Sequence, residues 1–175
     1  MRKHLISSLL LICLTACFSS SSTYAVESHP LMPGVTAVAP AAEFTRFGFS
    51  VYRAQLWAPD GRYAPNAPFV LSLTYSRDID RDRIVQASLD EMQKLGLPVR
   101  EQPQWRGELE RVLTDVKQGD TLTGIYRPGQ GAEFFYKNNK LGTLDETLAV
   151  HFFSIWLDAR TSEPELRLAL LGQKK

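Results

Sequence analysis

The sequence predicts an α+β domain, a large antiparallel sheet covered on one face by helices. Three observations predict this class. Segments with the two-residue alternation of strands lie before and after a pair of segments with helical periodicity. A second helical pair closes the chain, so that strands and helices are grouped rather than strictly alternating. Each helical segment is amphipathic and needs an apolar surface to cover, which a sheet face supplies.

The chain divides into three segments. Residues 1–25 form a signal segment, and residues 26–42 are a tether rich in Pro, Ala and Gly. A first strand is expected to begin near Val35 within this tether. The folded domain spans residues 43–175, which is long enough to bury a sizeable core without disulfides or metals.

The signal segment leaves two interpretations open. Residues 2–4 are basic, and the apolar run at 5–17 is too short to anchor stably across a bilayer. Residues 23–25 end in a small residue that suits cleavage. In the second interpretation, residues 14–17 resemble a lipoprotein box, and Cys17 is acylated. Both predict a periplasmic or otherwise exported protein, which the second places in the outer envelope as a lipoprotein.

The first strands of the domain are identified by alternation. Residues 44–58 alternate apolar and polar side chains, as one long strand or two bent ones, and Gly48 is interpreted as a bulge. Residues 59–61, Pro-Asp-Gly, have the composition of a turn. Residues 69–75 alternate clearly and predict the next strand.

Two helices follow this strand. Asp80 is predicted to cap a helix of about 15 residues that Gly96 and Pro98 end. A second helix is predicted from Pro103 to Gly119. The apolar stripes consist of Val85, Leu89, Met92 and Leu95 in the first helix and Trp105, Leu109, Val112, Leu113 and Val116 in the second.

Turn and cap residues organise the last third of the chain. Residues 128–131, Pro-Gly-Gln-Gly, predict a turn between two strands, and Asn138-Asn139 predict a second turn because Asn tolerates positive φ. Two helices then follow, each announced by a capping box. The two boxes are Thr143 with Glu146 and Ser162 with Glu165.

Composition excludes several function classes. The signal segment contains two basic residues, Arg2 and Lys3, and no acidic residue. Its removal leaves 18 basic and 19 acidic side chains. A nearly neutral domain lacks the basic surface of a nucleic-acid-binding protein, so we expect no nucleic-acid partner and membrane attachment only through a lipid anchor at Cys17. Both cysteines lie in the signal segment, and only His29 and His151 remain beyond it, so we expect no metal site and no cofactor.

The residues with chemical potential are polar-tipped aromatics and one arginine on strands. Tyr52, Tyr75 and Tyr126 are predicted to point beneath the helical layer and to line a pocket. Arg46 is predicted to hold a carboxylate or phenolate if it points inward, because a guanidinium pairs bidentately with carboxylates. These four residues are the candidate ligand site; core and rim packing is the competing interpretation. No serine elbow or phosphate-binding loop is present, and the catalytic residues stay unassigned.

The last third also carries a family resemblance. Its pieces are Gly119-Asp120, residues 126–131, Ile155-Trp156-Leu157 and residues 166–172, together with Val51-Tyr52-Arg53-Ala54 upstream. In this order and spacing they resemble the bacterial chalcone isomerase-like proteins, over residues 44–172. The resemblance implies an open sandwich in which a helical layer covers one face of a large antiparallel sheet, with a cleft between the two layers.

The resemblance also implies where catalytic residues would lie. The plant enzymes of this family use a threonine, an arginine, a tyrosine and an asparagine. Their positions fall at Phe47, near Val35, near Arg81 and near Ser88, and none of the four residue types matches. In a water-excluded site, stabilisation of the transition-state charge is usually the largest contribution to catalysis, and here the arginine that would supply it is missing. Flavanone formation is therefore not expected. Other relatives of this fold bind fatty acids through an inward arginine and a tyrosine.

Three functions follow from these expectations. The preferred one is an exported, non-catalytic domain that binds a small apolar or lipid-like ligand. The second is an isomerase or intramolecular lyase that acts on a phenolic or enone substrate through Arg46 and a nearby tyrosine. The third is an envelope accessory domain that binds another protein, for which a contiguous exposed apolar patch would be the sign.

Overall fold

The computed structural model describes residues 28–100 and 102–174. The signal segment and Cys17 lie outside the described residues. None of the described helices combines the length and the hydropathy that a bilayer span requires.

The described chain forms one antiparallel sheet and four helices, as predicted. The strands are β1 (Ser28–His29), β2 (Met32–Ala37), β3 (Ala42–Arg46), β4 (Phe49–Pro59), β5 (Phe69–Tyr75), β6 (Thr121–Arg127), β7 (Gly131–Tyr136) and β8 (Asn139–Leu144). The helices are α1 (Arg81–Lys94), α2 (Gln104–Val112), α3 (Glu146–Leu157) and α4 (Pro164–Leu170). The strand order is β1-β2-β4-β5-β6-β7-β8, and β3 also pairs with β4.

The long strand β4 serves two partners. Strand β3 pairs with its first part, from Phe49 to Ala54, and β2 pairs with its last part, from Trp57 to Pro59. The predicted tether at 26–42 therefore contains the strands β1 and β2 and the start of β3. Curling of the sheet into a half-barrel leaves a concave face for the helices.

The two sheet faces carry separate apolar clusters. The helical face holds the larger core, in which alternate residues of β4 to β8 pack against all four helices. On the opposite face, Val35, Trp57, Val70 and Ile125 form a smaller cluster. This alternation is why the sequence pattern identified most strands: one face of each strand is buried under helices.

Residues 44–58 contain two strands, as the second alternative predicted, but the strands are joined by a hairpin turn rather than by a bend. Strands β3 and β4 are joined by a two-residue turn at Phe47 and Gly48, with φ of 52° and 79°. Gly48 is therefore a turn residue and not a bulge, and the chain reverses where the alternation continued. Phe47 and Phe49 consequently lie in solvent, 89% and 66% exposed.

Both predicted capping boxes are wrong. Helix α3 is capped by Asp145, whose Oδ1 accepts a hydrogen bond from Leu148 N at 2.9 Å, whereas Thr143 is the second-last residue of β8. Helix α4 begins at Pro164 after Glu163, and the Ser162 hydroxyl donates instead to Glu91 Oε2. A tertiary partner takes the hydroxyl of Ser162, whereas at α3 strand β8 continues through Leu144 and moves the local cap two residues along the chain, to Asp145.

Two further boundaries differ from the prediction. Helix α2 ends at Val112 because Leu113 is extended, and Val116 instead forms a bridge with Ile79. The second hairpin turn consists of Lys137 and Asn138 rather than of two asparagines. Asp80 lies at the start of α1 as expected, but its side chain makes no capping hydrogen bond.

Candidate functional site

A cavity of about 200 Å³ lies between the concave sheet face and helices α1, α3 and α4. Its exposed lining residues lie beside the β3–β4 hairpin and form its mouth, whereas its lining residues on β5 and β6 are buried. Its inner wall is almost entirely apolar. This wall includes Leu71, Leu73, Leu122, Gly124, Phe134, Phe152 and Phe153.

Gly124 makes room for two phenylalanine rings at the inner end of the cavity. A Cβ atom at this position would lie 2.8 Å from Phe153 Cζ and 3.3 Å from Phe134 Cε1. Phe153 and Phe134 stack at a centroid distance of 6.1 Å across this glycine, so the aromatic rings occupy the space that a side chain on β6 would fill. The absence of a side chain at Gly124 therefore shapes the end of the cavity.

Tyr52 projects from β4 into the wall of the cavity and is fixed from two sides. Its ring stacks on Phe44 at 4.9 Å, and its hydroxyl accepts a hydrogen bond of 3.0 Å from Trp156 Nε1 of α3. The hydroxyl is an acceptor in this contact, so its own proton is left to donate. Burial is the main cause that raises the pKa of Tyr52 above its ordinary value, and the phenol stays neutral.

Tyr75 is the cross-strand neighbour of Tyr52 and lines the same cavity. The two rings meet edge to face at 5.9 Å. Tyr75 is 4% exposed, and its hydroxyl has no hydrogen-bond partner among the described residues. Among the described residues, Trp57 Nε1 is the one fully buried side-chain polar atom that lacks a hydrogen-bond partner. The Tyr75 hydroxyl also lacks a partner, so it is not fully buried in the protein, and it adjoins the cavity that Tyr75 lines. Burial also raises the pKa of Tyr75, which keeps it a donor.

Charged side chains surround the mouth of the cavity. Arg46 and Arg83 contribute to it together with Glu91 and Glu163. Glu91 forms an ion pair with Lys94 Nζ, at 2.7 Å from Oε1, and its Oε2 accepts a hydrogen bond from the Ser162 hydroxyl. The pKa of Glu91 is lowered by these contacts and by the charge of Arg46, against the opposing effect of its partial burial. The rim therefore offers the Arg46 guanidinium, which forms no ion pair with a described residue.

Tyr126 lies outside this cavity. Its hydroxyl donates to Glu146 Oε1 at 2.6 Å, and Glu146 Oε2 accepts from Gly131 N at 2.9 Å. The pKa of Tyr126 is raised to about 12, first by burial and then by the Glu146 carboxylate. A second depression, of about 290 Å³ and more open to solvent, lies beside Tyr126, and Phe153 forms a wall of both. The four candidate residues are thus not one cluster: Arg46, Tyr52 and Tyr75 adjoin the first cavity.

The two histidines of the described chain lie outside the cavity. His29 is buried against Trp57 on the opposite sheet face, where its Nδ1 accepts from Leu31 N at 3.2 Å. Burial lowers the pKa of His29 and is also the main cause that lowers that of His151, whose ring packs on Trp105 at 5.2 Å. No group of three or more potential metal ligands occurs among the described residues.

The positions implied by the plant enzymes are dispersed. Phe47 is at the hairpin tip, Val35 is buried on the face away from the helices, and Arg81 begins α1 in solvent. Ser88 does line the cavity, but its hydroxyl donates to Ile84 O of its own helix at 2.9 Å. The described geometry therefore contains no copy of that constellation.

Sequence reasoning missed Trp156 and Gly124 as site residues. The sequence identifies Trp156 only as part of the Ile155-Trp156-Leu157 motif, and the packing of α3 over the sheet is what brings its indole to Tyr52. The one available signal for Gly124 was a glycine inside a strand pattern, which indicates close approach of another group.

Comparison with known proteins agrees with this architecture. A family model described as "Chalcone isomerase-like" matches residues 45–172. A crystal structure of the fatty-acid binding protein AtFAP1 of Arabidopsis thaliana superposes with a TM-score of 0.62 at 9% sequence identity. The superposition covers 83% of this chain and 95% of that one. No curated protein sequence matches the chain.

Proposed function

Because the chain belongs to the chalcone isomerase-like family, we propose that it is a non-catalytic binding protein for a small apolar or lipid-like ligand. The observation that carries this proposal is the apolar cavity between sheet and helices, with the Tyr52 and Tyr75 hydroxyls beside it. The structural likeness to a fatty-acid binding protein supports a ligand of this class.

The size of the cavity limits the ligand. An apolar cavity of about 150 Å³ holds benzene, which has six carbon atoms. By the same ratio, a cavity of about 200 Å³ accommodates about eight carbon atoms. The apolar part of the ligand is therefore a single ring or a short to medium acyl chain, and a longer chain would extend through the mouth.

The polar part of the ligand is an oxygen acceptor. Tyr52 and Tyr75 each have a phenol proton that no described residue accepts, and the two residues are cross-strand neighbours. A carbonyl or carboxyl oxygen between them would receive two hydrogen bonds, with the Arg46 guanidinium available at the rim for a negative charge. This orientation directs the tail of the ligand toward Gly124 and Phe153.

The protonation of the tyrosines favours binding over proton transfer. Burial raises the pKa of both phenols, so both stay protonated near neutral pH and neither is suited to general acid or general base catalysis. The cavity wall offers no histidine, and its carboxylates are confined to the mouth. A donor pair that stays protonated suits the holding of an oxygen atom.

Native mass spectrometry of the full chain purified from its host tests the proposal. We expect an adduct whose mass matches a small apolar molecule, and we expect gentle denaturation to release it. A Leu73→Trp variant, which places an indole in the cavity, should lose the adduct while it remains folded. The control is Leu31→Trp, on the opposite sheet face, which should keep it. An adduct-free wild-type protein that also binds no medium-chain carboxylate would refute the proposal.

An isomerase or intramolecular lyase is the second candidate, and the place of Arg46 at the cavity mouth favours keeping it. In that case Arg46 would stabilise a phenolate or enolate, and a neighbouring tyrosine would orient the substrate. Incubation with a panel of phenolic enones tests this, because turnover that is lost in Arg46→Gln would establish the enzyme. A protein-binding envelope accessory role predicts instead an adduct-free cavity together with a stable protein complex.

We further propose that the protein is exported, since residues 1–25 have the pattern of a signal segment. The mass of the mature protein from its host distinguishes the two routes. Cleavage after Ala25 leaves a chain that begins at Val26, whereas the lipoprotein route leaves an acylated Cys17. An intact chain that starts at Met1 in the cytoplasm would contradict export.

A further inference from the structure

The structure contains three two-residue turns of one backbone type. Each has two successive residues with positive φ: Asp60-Gly61 at 53° and 63°, Lys137-Asn138 at 48° and 66°, and Phe47-Gly48 at 52° and 79°. This conformation favours Asn, Asp and Gly, because other side chains are strained there. The first two turns include such residues in conventional places, and both carry a polar first residue.

Phe47 is exceptional at the first position of its turn. It adopts the left-handed backbone conformation, which is uncommon for bulky residues, and its side chain is 89% exposed. Phe47 therefore costs conformational energy and gains no burial in the isolated domain. Strain of this kind at an exposed position is a sign of function.

The surroundings of Phe47 make an amphipathic tip. Phe49, two residues later, is 66% exposed, and the Arg46 guanidinium lies 5.6 Å from the centre of the Phe47 ring. Arg77 reaches the same end of the sheet, since the preceding Ser76 bonds to Val51 O and to the Ser50 hydroxyl. Neither Arg46 nor Arg77 forms an ion pair with any described residue, and Glu91, the carboxylate whose pKa responds to Arg46, is itself paired with Lys94. The tip therefore presents two aromatic rings beside two arginines.

We propose that this tip, residues 46–49, inserts into the surface of a lipid bilayer that contains anionic phospholipid. The rings would enter the interfacial region, and the arginines would lie at the level of the phosphates. This attachment is additional to any anchor at Cys17, and it is local, which is compatible with a nearly neutral domain.

The tip lies next to the cavity mouth, which suggests what its insertion would achieve. Phe44, Arg46 and Val51 belong to the same hairpin and line the cavity mouth, whereas Phe47 and Phe49 do not line the cavity. Insertion of the tip would therefore bring the mouth to the bilayer, from which an acyl ligand can enter without crossing water. The inference about use depends on the proposed function, but the insertion itself does not.

Fluorescence of a Phe47→Trp variant of the full chain tests insertion at the tip itself. Vesicles of equal parts phosphatidylcholine and phosphatidylglycerol are the probe. We expect the variant's additional emission to shift to the blue on mixing and to be quenched by brominated phospholipid. The matched control is Asp60→Trp, because Asp60 has the same backbone conformation at the other end of β4, a strand of 11 residues that spans about 33 Å at strand spacing. Its emission should not change.

Sedimentation with the same vesicles measures how much the tip contributes. The signal segment is common to all variants, so differences between them report the hairpin. We expect Phe47→Asn to weaken vesicle binding at least about tenfold, since one phenylalanine no longer leaves water. The same variant should melt at a higher temperature than the wild type, because Asn tolerates the backbone of this turn. High salt and vesicles of phosphatidylcholine alone should each weaken wild-type binding.

The outcomes separate this proposal from the proposed function. Phe47→Asn should bind a soluble medium-chain carboxylate as the wild type does, because Phe47 does not line the cavity. If the cavity holds no adduct but the tip inserts into vesicles, the ligand-binding proposal is refuted and the insertion proposal stands. Unchanged emission of Phe47→Trp with vesicles, or equal sedimentation of Phe47→Asn and wild type, would overturn insertion. A dimer that Phe47→Asn dissociates, without vesicle binding, would likewise overturn it and assign the tip to contact between copies.

Discussion

Substitution of the two cavity tyrosines by phenylalanine should have opposite consequences for stability. Tyr52→Phe removes the acceptor of Trp156 Nε1 and leaves an indole N–H unpaired in a residue that is 7% exposed. Loss of the bond together with the stranded buried donor costs about 1–3 kcal/mol. At this chain length that corresponds to a melting temperature lower by about 3–10 °C. Tyr75→Phe strands no described partner, so its free energy of unfolding should stay within about 0.5 kcal/mol of the wild type.

Ligand binding should respond differently from stability. Both substitutions remove a phenol donor from the cavity, so both should weaken binding of a medium-chain carboxylate by about 3- to 30-fold. Urea unfolding of the ligand-free chain and isothermal titration calorimetry measure the two effects separately. A Tyr75→Phe variant that is as unstable as Tyr52→Phe would refute the assignment of the Tyr75 hydroxyl as free. Undiminished binding in both variants would refute their role as ligand donors.

Two further predictions concern the scaffold. Lys137 Nζ, 2.7 Å from Asp120 Oδ1, is the main cause that lowers the pKa of Asp120 to about 2. The carboxylate therefore stabilises the fold above the unfolded pKa near 4, and this contribution is lost as the pH falls toward 2. Urea unfolding between pH 6 and pH 2 should show a shallower decline for Asp120→Asn than for the wild type, and equal slopes would contradict it. At Gly131, an added Cβ would lie 2.2 Å from Leu144 O, so Gly131→Ala should cost about 2–5 kcal/mol. Gly129 is the matched control, because its φ is similar and no atom lies near the position of an added Cβ. Gly129→Ala should therefore cost only about 1–2 kcal/mol. Thermal melts of the two variants measure the difference, and equal losses of stability would contradict the steric explanation.

The strands and helices followed from the sequence where one face is buried. The alternation of residues 69–75 became β5, and the stripe through Val85, Leu89 and Met92 became the buried face of α1. Period and burial are local properties of the chain, so they can be read before the fold is known. The helices therefore pack on the predicted sheet face.

The errors arise where long-range contacts decide a local choice. The alternation continues through Phe47 and Gly48 although the chain reverses there, because a two-residue turn preserves the apparent period. Ser162 matched a capping pattern but bonds to Glu91, which lies 71 residues away in the chain. Such partners are supplied by the tertiary fold.

The candidate site was predicted in part for the same reason. Tyr52 and Tyr75 were placed on the correct sheet face by alternation, and the fold makes them neighbours. Tyr126 shares that face, but it lies further along β6, where Glu146 takes its hydroxyl. The periodicity of a strand gives the face, whereas position along the strand relative to the helices decides which residues meet at a cavity.

Calorimetric titration of the full chain with straight-chain carboxylates of increasing length tests the central claim most directly. The claim is that the cavity between sheet and helices holds an apolar chain whose oxygen atoms reach Tyr52 and Tyr75. Affinity should rise with each added methylene up to about eight carbon atoms, which fill about 200 Å³, and then level off. Absence of binding at every length, or the same profile in the cavity-filling Leu73→Trp variant, would contradict the account.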